Sequence, residues 1–254
     1  MAEKLKALQG GRPKLTAHRG GAAYAPENTM AAFEKALEMG ADLVEIDVQL
    51  SADGHAVIMH DGKVDRTTNG KGWVGEKPLA ELRELDAGSW FDPKFAGEKV
   101  LLFEEVVVWA KGRMGLNIEL KYGPHPYWYP EMASIVVDIL RKHDVLDEVF
   151  VHSFDHTAVR EVKQLEPRLL CAINYACKLV DPIRVAREVG ADILNMNRNY
   201  IAPEVVELAH SHGLGTQCFT NSAAEAEAMV RMGVDFIDSD YIDRLQASVA
   251  KVHG

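Results

Sequence analysis

The chain reads LVEIDVQLSADGHAVIMHD from Leu43 to Asp61, and the rest of the sequence is organised around this segment. Apolar and polar residues alternate from Val44 to Leu50, which is the side-chain period of a β-strand. Asp53-Gly54 is a pair typical of tight turns, and an apolar run from Ala56 to Met59 follows it. The segment therefore predicts a β-hairpin.

Two carboxylates and an imidazole lie on one face of this predicted hairpin. Glu45 and Asp47 point the same way because alternate residues of a strand do so. If Asp53-Gly54 is a two-residue loop, Asp47 lies opposite His60, with Cβ atoms about 5 Å apart. Taken alone, a solvated polar face is the plainer interpretation of these three residues. The remainder of the chain favours a functional site instead.

The composition indicates an acidic globular protein. Its 254 residues carry a formal net charge of −10, and 47% of them are hydrophobic, which is enough for a large core. The negative charge disfavours nonspecific binding to nucleic acid or to anionic membranes. No segment approaches about 18 uninterrupted apolar residues, and the first eleven residues show no apolar signal segment. We therefore expect a cytoplasmic protein with no nucleic-acid partner and no stable membrane insertion.

Strand and helix patterns alternate along the chain. Eight principal strands are predicted at Lys14–Ala17, Val44–Leu50, Leu116–Lys121, Val149–Phe154, Leu169–Asn174, Ile193–Met196, Gly215–Thr220 and Phe236–Ser239. A helical pattern follows each of them, and eight β/α units in about 250 residues are typical of a TIM (β/α)8 barrel. We predict one α/β barrel domain over residues 1–254, with an insertion at about 61–97, after the second strand, on the rim of the catalytic face.

Charged residues collect at the predicted strand ends, which form the active-site face of a TIM barrel. Glu45, Asp47 and Glu119 would meet there, and unpaired charges packed together repel one another unless they are neutralised. A hard divalent cation with oxygen ligands, Mg²⁺ or Ca²⁺, would hold the three carboxylates together. Zinc is less suited, because no cysteine joins the group and the histidines nearby have another use.

A series of short motifs runs through the sequence in a fixed order. These are His18-Arg19-Gly20, Glu27-Asn28-Thr29, Glu45-Ile46-Asp47, His60-Asp61, Asp65-Arg66-Thr67-Thr68-Asn69-Gly70, Glu119-Leu120-Lys121 and Val151-His152-Ser153-Phe154. Each motif would be a weak signal alone. In this order and spacing they resemble the glycerophosphodiester phosphodiesterase family, and the resemblance runs over nearly the whole chain.

The resemblance implies a metal-dependent hydrolase that cuts a glycerophosphodiester into sn-glycerol 3-phosphate and an alcohol. By motif match, Glu45, Asp47 and Glu119 take the metal-ligand positions, and His18 and His60 take the two acid/base positions. The resemblance also suggests the glycerol 2-hydroxyl as attacking group, with a cyclic phosphate that water then opens. It does not assign which histidine is the acid and which the base.

The substrate-binding positions follow from the same resemblance. Arg19 and Lys121 fall where the family binds phosphate. Phe219 stands where the family often carries a tryptophan that packs on the glycerol carbons, so the substrate range is open. The preferred headgroup and the oligomeric state are also open.

Some residues and functions keep alternative interpretations. His152, beside a strand end, is about equally typical of a supporting residue near the site and of a packing residue. The loop Tyr122–Pro130, which contains His125, could contact the leaving group or form only surface. Two other functions stay open: a lysophospholipase D-like enzyme acting on lysolipids, which would need an exposed apolar channel, and a binding protein on a disabled barrel. The intact set of acids and histidines argues against a disabled site.

Overall fold

Eight parallel strands close into a barrel in the computed structural model, which describes residues 11–122, 129 and 131–253. Together with one further strand, β3, the strands are β1 Lys14–Ala17, β2 Leu43–Leu50, β3 Ala56–Ile58, β4 Gly115–Leu120, β5 Val149–Ser153, β6 Leu170–Tyr175, β7 Ile193–Met196, β8 Gly215–Phe219 and β9 Phe236–Ser239. The hydrogen-bonded order is β1-β9-β8-β7-β6-β5-β4-β2, and a β1–β2 pairing closes the ring. The predicted TIM barrel is confirmed, and β3 is an antiparallel addition to β2 outside the ring.

Helices connect the strands. They are α1 Met30–Glu38, α2 Leu79–Glu84, α3 Phe103–Ala110, α4 Met132–Lys142, α5 His156–Leu165, α6 Pro182–Val189, α7 Pro203–Ser211, α8 Ala223–Met232 and α9 Ile242–His253. Several begin at side chains that accept a hydrogen bond from the first turn, as Thr29 does for α1 and Asp155 for α5. Within the described residues, none of these helices combines the length and apolar composition needed to span a membrane.

The β2–β3 hairpin has a different register from the predicted one. Val48 pairs with Ile58, and the amide of Met59 donates to the carbonyl of Asp47 at 2.9 Å. Asp47 therefore lies opposite Met59, and the prediction that it faces His60 is wrong by one residue. The cause is a three-residue loop, in which Gly54 has a φ of +79° that favours glycine. His60 instead follows the end of β3.

The insertion after β3 has a hydrophobic cluster of its own. It contains α2 and short 3₁₀ turns at Val74–Glu76 and Pro93–Phe95. Its buried apolar residues pack with those of β3 and with Val100; the cluster comprises Val57, Met59, Val64, Val74, Leu82, Ala87 and Val100. This packing anchors the segment beside the end of β3, where His60 and Asp61 lie.

The interior of the barrel changes from apolar to polar along the strands. Its lower layer is a buried cluster of Leu43, Phe150, Ala172, Ile193 and Phe236. Polar residues lie two positions further along the same strands, and they point to the same inward side because side chains alternate along a strand. These are Glu45, His152, Asn174, Asn195 and Asp238. The polar layer forms the floor of the site at the carboxyl ends of the strands.

Candidate active site

A cavity of about 210 Å³ opens at the carboxyl ends of the strands. Its lining includes four residues predicted from the sequence: His18, Glu45, Glu119 and Phe219. The remaining lining residues come mainly from β5 to β9, and they are His152, Phe154, Asn174, Tyr175, Ala176, Asn195, Met196, Asn197 and Asp238. One side of the cavity is therefore charged, and the other is formed by neutral polar and apolar side chains.

The turn after β1 positions the first carboxylate. Arg19 has a φ of +51°, uncommon for a residue with a side chain, and its backbone amide donates to Oε2 of Glu45 at 2.8 Å. Gly20 packs so closely on α1 that a Cβ atom there would lie 2.7 Å from Cβ of Ala32. The His-Arg-Gly sequence thus combines a strained backbone with a close helix contact, and both bring an amide toward the metal-ligand candidate Glu45.

A second strained residue positions Asp47. Asn28 has a φ of +59°, and its side-chain amide donates to Oδ2 of Asp47 at 2.7 Å. Nε of Arg19 lies 3.6 Å from the same oxygen. Nζ of Lys121 lies 3.4 Å from Oδ1 of Asp47 and 3.0 Å from Oε1 of Glu119. The structure thus brings all three predicted carboxylates and both predicted cations into one cluster.

The electrostatics of the cluster favour an additional positive charge. Burial raises the pKa of Glu45 well above its ordinary value, and the charges of Asp47 and Glu119 raise it further. Burial also raises the pKa of Glu119. Burial opposes ionisation of Asp47 as well, but neighbouring positive charges, Lys121 foremost, hold its pKa below the ordinary value. Two of the three carboxylates therefore resist ionisation unless a cation joins them.

The donor atoms present fit a divalent ion. Glu45, Glu119 and His152 each offer a ligand atom, and these atoms lie within 4.8 Å of one another. Within the described residues, Oδ1 of Asp47 and Nε2 of His152 are buried with no hydrogen-bond partner. Buried polar atoms are rarely left unpaired, so both are available to a cation. The group overlaps the predicted carboxylate set in Glu45 and Glu119.

Both predicted acid/base histidines contact a carboxylate through Nδ1. Nδ1 of His18 lies 2.7 Å from Oδ1 of Asp240, and Nδ1 of His60 lies 2.7 Å from Oδ1 of Asp61. A carboxylate at Nδ1 orients the ring and leaves Nε2 as the atom that exchanges a proton. The ring of Phe219 meets that of His18 edge-on, with centroids 4.8 Å apart.

A chain of ion pairs links the motifs around the site. Nη1 of Arg19 donates to Glu27 at 2.9 Å, and Arg66 donates to Glu27 through two nitrogens at 2.7 Å each. Arg66 also donates to Asp61 at 2.7 and 3.0 Å. Since Asp61 contacts His60, the chain runs from the turn after β1 to the end of β3. Motifs that are far apart in the sequence are thus joined by one continuous chain of ion pairs.

His152 occupies a more central place than sequence reasoning gave it. Its Cα pairs in register with Glu119, its side chain is 2% exposed, and burial lowers its pKa to about 4. Its position two residues after the inward-facing Phe150 was the available signal. Asp238 and Asn28 were also missed as site residues, whereas His125 lies outside the described residues.

Comparison with known proteins agrees with the geometry. The model of the glycerophosphoryl diester phosphodiesterase family matches residues 18–244. The glycerophosphodiester phosphodiesterase of Caldanaerobacter subterraneus is 39% identical over 228 residues, covering 89% of this chain and 93% of that protein. The Mycobacterium tuberculosis protein named "Probable glycerophosphodiester phosphodiesterase 1" is 52% identical over 257 residues, covering 93% of this chain and 92% of that protein.

A solved structure resembles the whole fold. The Oleispira antarctica phosphodiesterase in complex with the product sn-glycerol-3-phosphate superposes with a TM-score of 0.89 and 31% identity, and the match covers 97% of this chain and 99% of that one. The family match spans the barrel from the turn after β1 into α9, and it includes the clustered carboxylates and histidines. The chain belongs to the glycerophosphoryl diester phosphodiesterase family.

Proposed function

We propose that this protein hydrolyses glycerophosphodiesters to sn-glycerol 3-phosphate and an alcohol with the help of one divalent metal ion. The observation that carries the proposal is the convergence of Glu45, Asp47 and Glu119 in one buried cluster, together with two histidines that each contact a carboxylate. The product sn-glycerol-3-phosphate bound by the Oleispira antarctica phosphodiesterase supports the same substrate class.

In this proposal Glu45, Asp47 and Glu119 hold the ion, which is Mg²⁺ or Ca²⁺ because carboxylate oxygens suit hard cations. When bound, the ion supplies positive charge that offsets the charge developing on the phosphoryl oxygens. The backbone amide of Arg19 keeps Glu45 in place, and the side chain of Asn28 does the same for Asp47.

His18 and His60 carry the proton transfers. One imidazole accepts the proton of the attacking oxygen at Nε2, and the other gives a proton to the leaving alkoxide oxygen. The attacking group is the glycerol 2-hydroxyl, and water then opens the resulting cyclic phosphate. Asp240 and Asp61 hold the two rings through Nδ1, so each ring keeps its direction through the proton transfers.

Arg19 and Lys121 bind the phosphate, and Phe219 packs against the glycerol carbons. Both cations contact the carboxylates of the site, so each lies next to the metal-ligand candidates. Phe219 lines the cavity, and its ring contacts that of His18. In this proposal the glycerol lies next to the reacting phosphate and therefore beside the Phe219 ring. These roles explain how an acidic protein with a net charge of −10 attracts an anionic diester.

A lysolipid substrate is less well supported. Removal of its headgroup would leave a product with a long acyl chain, and the cavity of about 210 Å³ does not have the volume to enclose that chain. A binding protein on a disabled barrel is disfavoured by the intact carboxylates and histidines. We further infer one barrel domain over residues 1–254, with residues 61–97 on the active-site rim, and a cytoplasmic role in glycerol and lipid metabolism.

One assay separates these functions. Purified protein is given glycerophosphocholine, glycerophosphoethanolamine and lysophosphatidylcholine in parallel, with added Mg²⁺ or Ca²⁺ and again with chelator. We expect metal-dependent release of glycerol 3-phosphate from the first two substrates. Choline release from lysophosphatidylcholine alone would favour the lysolipid activity, and no turnover of any substrate with any metal would contradict the proposal.

A further inference from the structure

We infer that His152 is a nitrogen ligand of the divalent ion, so that the metal site of this protein is a mixed oxygen and nitrogen site. The inference rests on the proposed function only in requiring that a cation binds at Glu45 and Glu119. It adds a ligand to the three carboxylates predicted from the sequence. It also predicts a metal preference that an all-carboxylate site would not have.

His152 lies beside the carboxylate cluster. Asp47, Glu119 and His152 are Cα partners across the adjacent strands β2, β4 and β5, so they lie side by side at one level of the barrel. The imidazole is 2% exposed, and its Nε2 has no hydrogen-bond partner among the described residues. Ligand atoms of His152, Glu45 and Glu119 lie within 4.8 Å of one another. Since Nδ1 contacts Asn174, the unpaired Nε2 is the nitrogen left to act as the ligand atom of this group.

The other ring nitrogen of His152, Nδ1, contacts the side chain of Asn174. Nδ1 of His152 lies 3.0 Å from Oδ1 and 2.8 Å from Nδ2 of Asn174. Nδ2 of Asn195 donates to that Oδ1 at 3.0 Å, which identifies Oδ1 as an acceptor in this network. When Oδ1 of Asn174 accepts from Nδ1, the proton of the neutral ring is on Nδ1 and the lone pair is on Nε2. This is the arrangement usual for metal-bound histidines, in which the outer nitrogen donates to a fixed acceptor.

A purely structural histidine explains these contacts less well. Such a residue would leave a buried nitrogen unpaired beside the carboxylates, and a buried polar group without a partner destabilises the folded state. An apolar residue would fill the same space without that cost. Asn174, which is itself held by a hydrogen bond from Asn195, contacts Nδ1, so Nε2 is the nitrogen that remains for a cation.

The nitrogen ligand has a consequence for metal choice. Imidazole favours Zn²⁺ and other transition metals, whereas carboxylates alone suit Mg²⁺, Ca²⁺ and Mn²⁺. Replacing His152 with glutamine should therefore weaken binding of Zn²⁺ by at least about tenfold, the scale on which groups that support a metal ligand already act. Binding of Ca²⁺, which takes oxygen ligands, should change much less.

The decisive experiment is pulsed electron paramagnetic resonance on the full chain loaded with Mn²⁺. A directly bound imidazole gives a nitrogen coupling to Mn²⁺. We expect this coupling in the unchanged protein and its loss in His152→Gln and His152→Ala. His18→Ala and His60→Ala are the matched controls, because both histidines lie near the site, and both variants should keep the coupling.

The outcomes are distinct. A nitrogen coupling that persists in His152→Gln, or that disappears only in His18→Ala or His60→Ala, overturns the assignment, as does bound Mn²⁺ without any nitrogen coupling. Circular dichroism and titration with Ca²⁺ verify that His152→Gln is folded, and His152→Ala provides a second test. Nitrogen coupling in a protein that hydrolyses no glycerophosphodiester would contradict the proposed function while supporting His152 as ligand.

Discussion

The side-chain amide of Asn28 donates to Oδ2 of Asp47 at 2.7 Å from a backbone held at a φ of +59°. Asparagine tolerates this left-handed conformation better than most residues with a side chain. The next residue, Thr29, begins helix α1 by accepting a hydrogen bond from Ala32. Two neighbouring residues of the Glu-Asn-Thr motif therefore have separate tasks, one in the site and one in the fold.

Removal of the Asn28 amide should weaken metal binding. We expect Asn28→Gly to raise the dissociation constant for Mg²⁺ or Ca²⁺ by about 10- to 100-fold, because Asp47 loses a group that orients it. Glycine is chosen because it adopts positive φ without strain. Isothermal titration calorimetry measures the effect, and Asn199→Gly, at an exposed asparagine, is the control. Equal affinities in the two variants would contradict this role for Asn28.

Replacing either acid/base histidine should reduce turnover. We expect His18→Ala and His60→Ala each to lower kcat by about 10²- to 10⁴-fold, the usual contribution of a positioned proton donor or acceptor. His55→Ala, an exposed histidine on the same hairpin as His60, is the matched control and should retain kcat. Near-normal kcat in His60→Ala would remove that residue from the mechanism.

Metal removal should abolish hydrolysis while leaving the barrel folded. The buried cluster of Glu45, Asp47 and Glu119 needs positive charge, and activity should disappear in EDTA and return when Mg²⁺ or Ca²⁺ is added in excess. Glycerol 3-phosphate release measures activity, and circular dichroism measures the fold of the chelated protein. Undiminished turnover after exhaustive chelation would be incompatible with a metal-dependent reaction.

Phosphate recognition and glycerol recognition should separate in two variants. Lys121→Ala should lower kcat/KM for all diesters by similar factors, since every substrate carries the phosphate. Phe219→Ala should penalise glycerophosphocholine and glycerophosphoethanolamine more than bis(p-nitrophenyl) phosphate, by about 1–3 kcal/mol for the lost apolar contact. The losses in kcat/KM are compared between substrates because Phe219 also contacts His18, and a loss that acts through His18 lowers turnover of every substrate alike. Equal losses on all three substrates would exclude Phe219 from specificity.

Asp238 should make stability depend on pH. Burial raises its pKa from 3.8 to about 6, although Gln217 donates to Oδ2 at 2.6 Å and acts in the opposite direction. A raised folded pKa means that the folded state binds the proton more tightly, so this contribution to stability is present below about pH 4 and is lost by about pH 6. At most about 3 kcal/mol is at stake.

We therefore expect Asp238→Asn to gain stability relative to the unchanged protein as pH rises from 4 to 7. Urea unfolding of metal-free protein at several pH values measures the difference. Asp138→Asn, on the surface of α4, controls for the loss of a carboxylate. A stability difference between Asp238→Asn and the unchanged protein that stays constant with pH would show that Asp238 does not titrate with a raised pKa.

The sequence by itself was sufficient for the architecture. Side-chain periods distinguish strands from helices locally, and the eight predicted barrel strands agree with the observed ones to within one residue at each end. The sequence also indicated that His18, Glu45 and Glu119 lie at one end of the barrel, where they line the cavity, because the position of a residue along its strand determines the end at which it lies.

Register and partnership were decided only by the tertiary structure. The hairpin prediction was one residue out because loop length depends on backbone hydrogen bonds around Ser51 and on the φ of Gly54. The pairing of His18 with Asp240 joins residues 222 positions apart, and it exists because β1 closes the ring between β9 and β2.

The role of His152 depends on the pairing of the strands. Alternation along β5 indicates that its side chain points inward, but Glu119 and Glu45 are brought near it by the pairing of β5 with β4 and of β4 with β2. Whether an inward histidine packs, donates or binds a metal is set by the atoms around both ring nitrogens. Those atoms come from distant parts of the chain, and only the folded barrel brings them together.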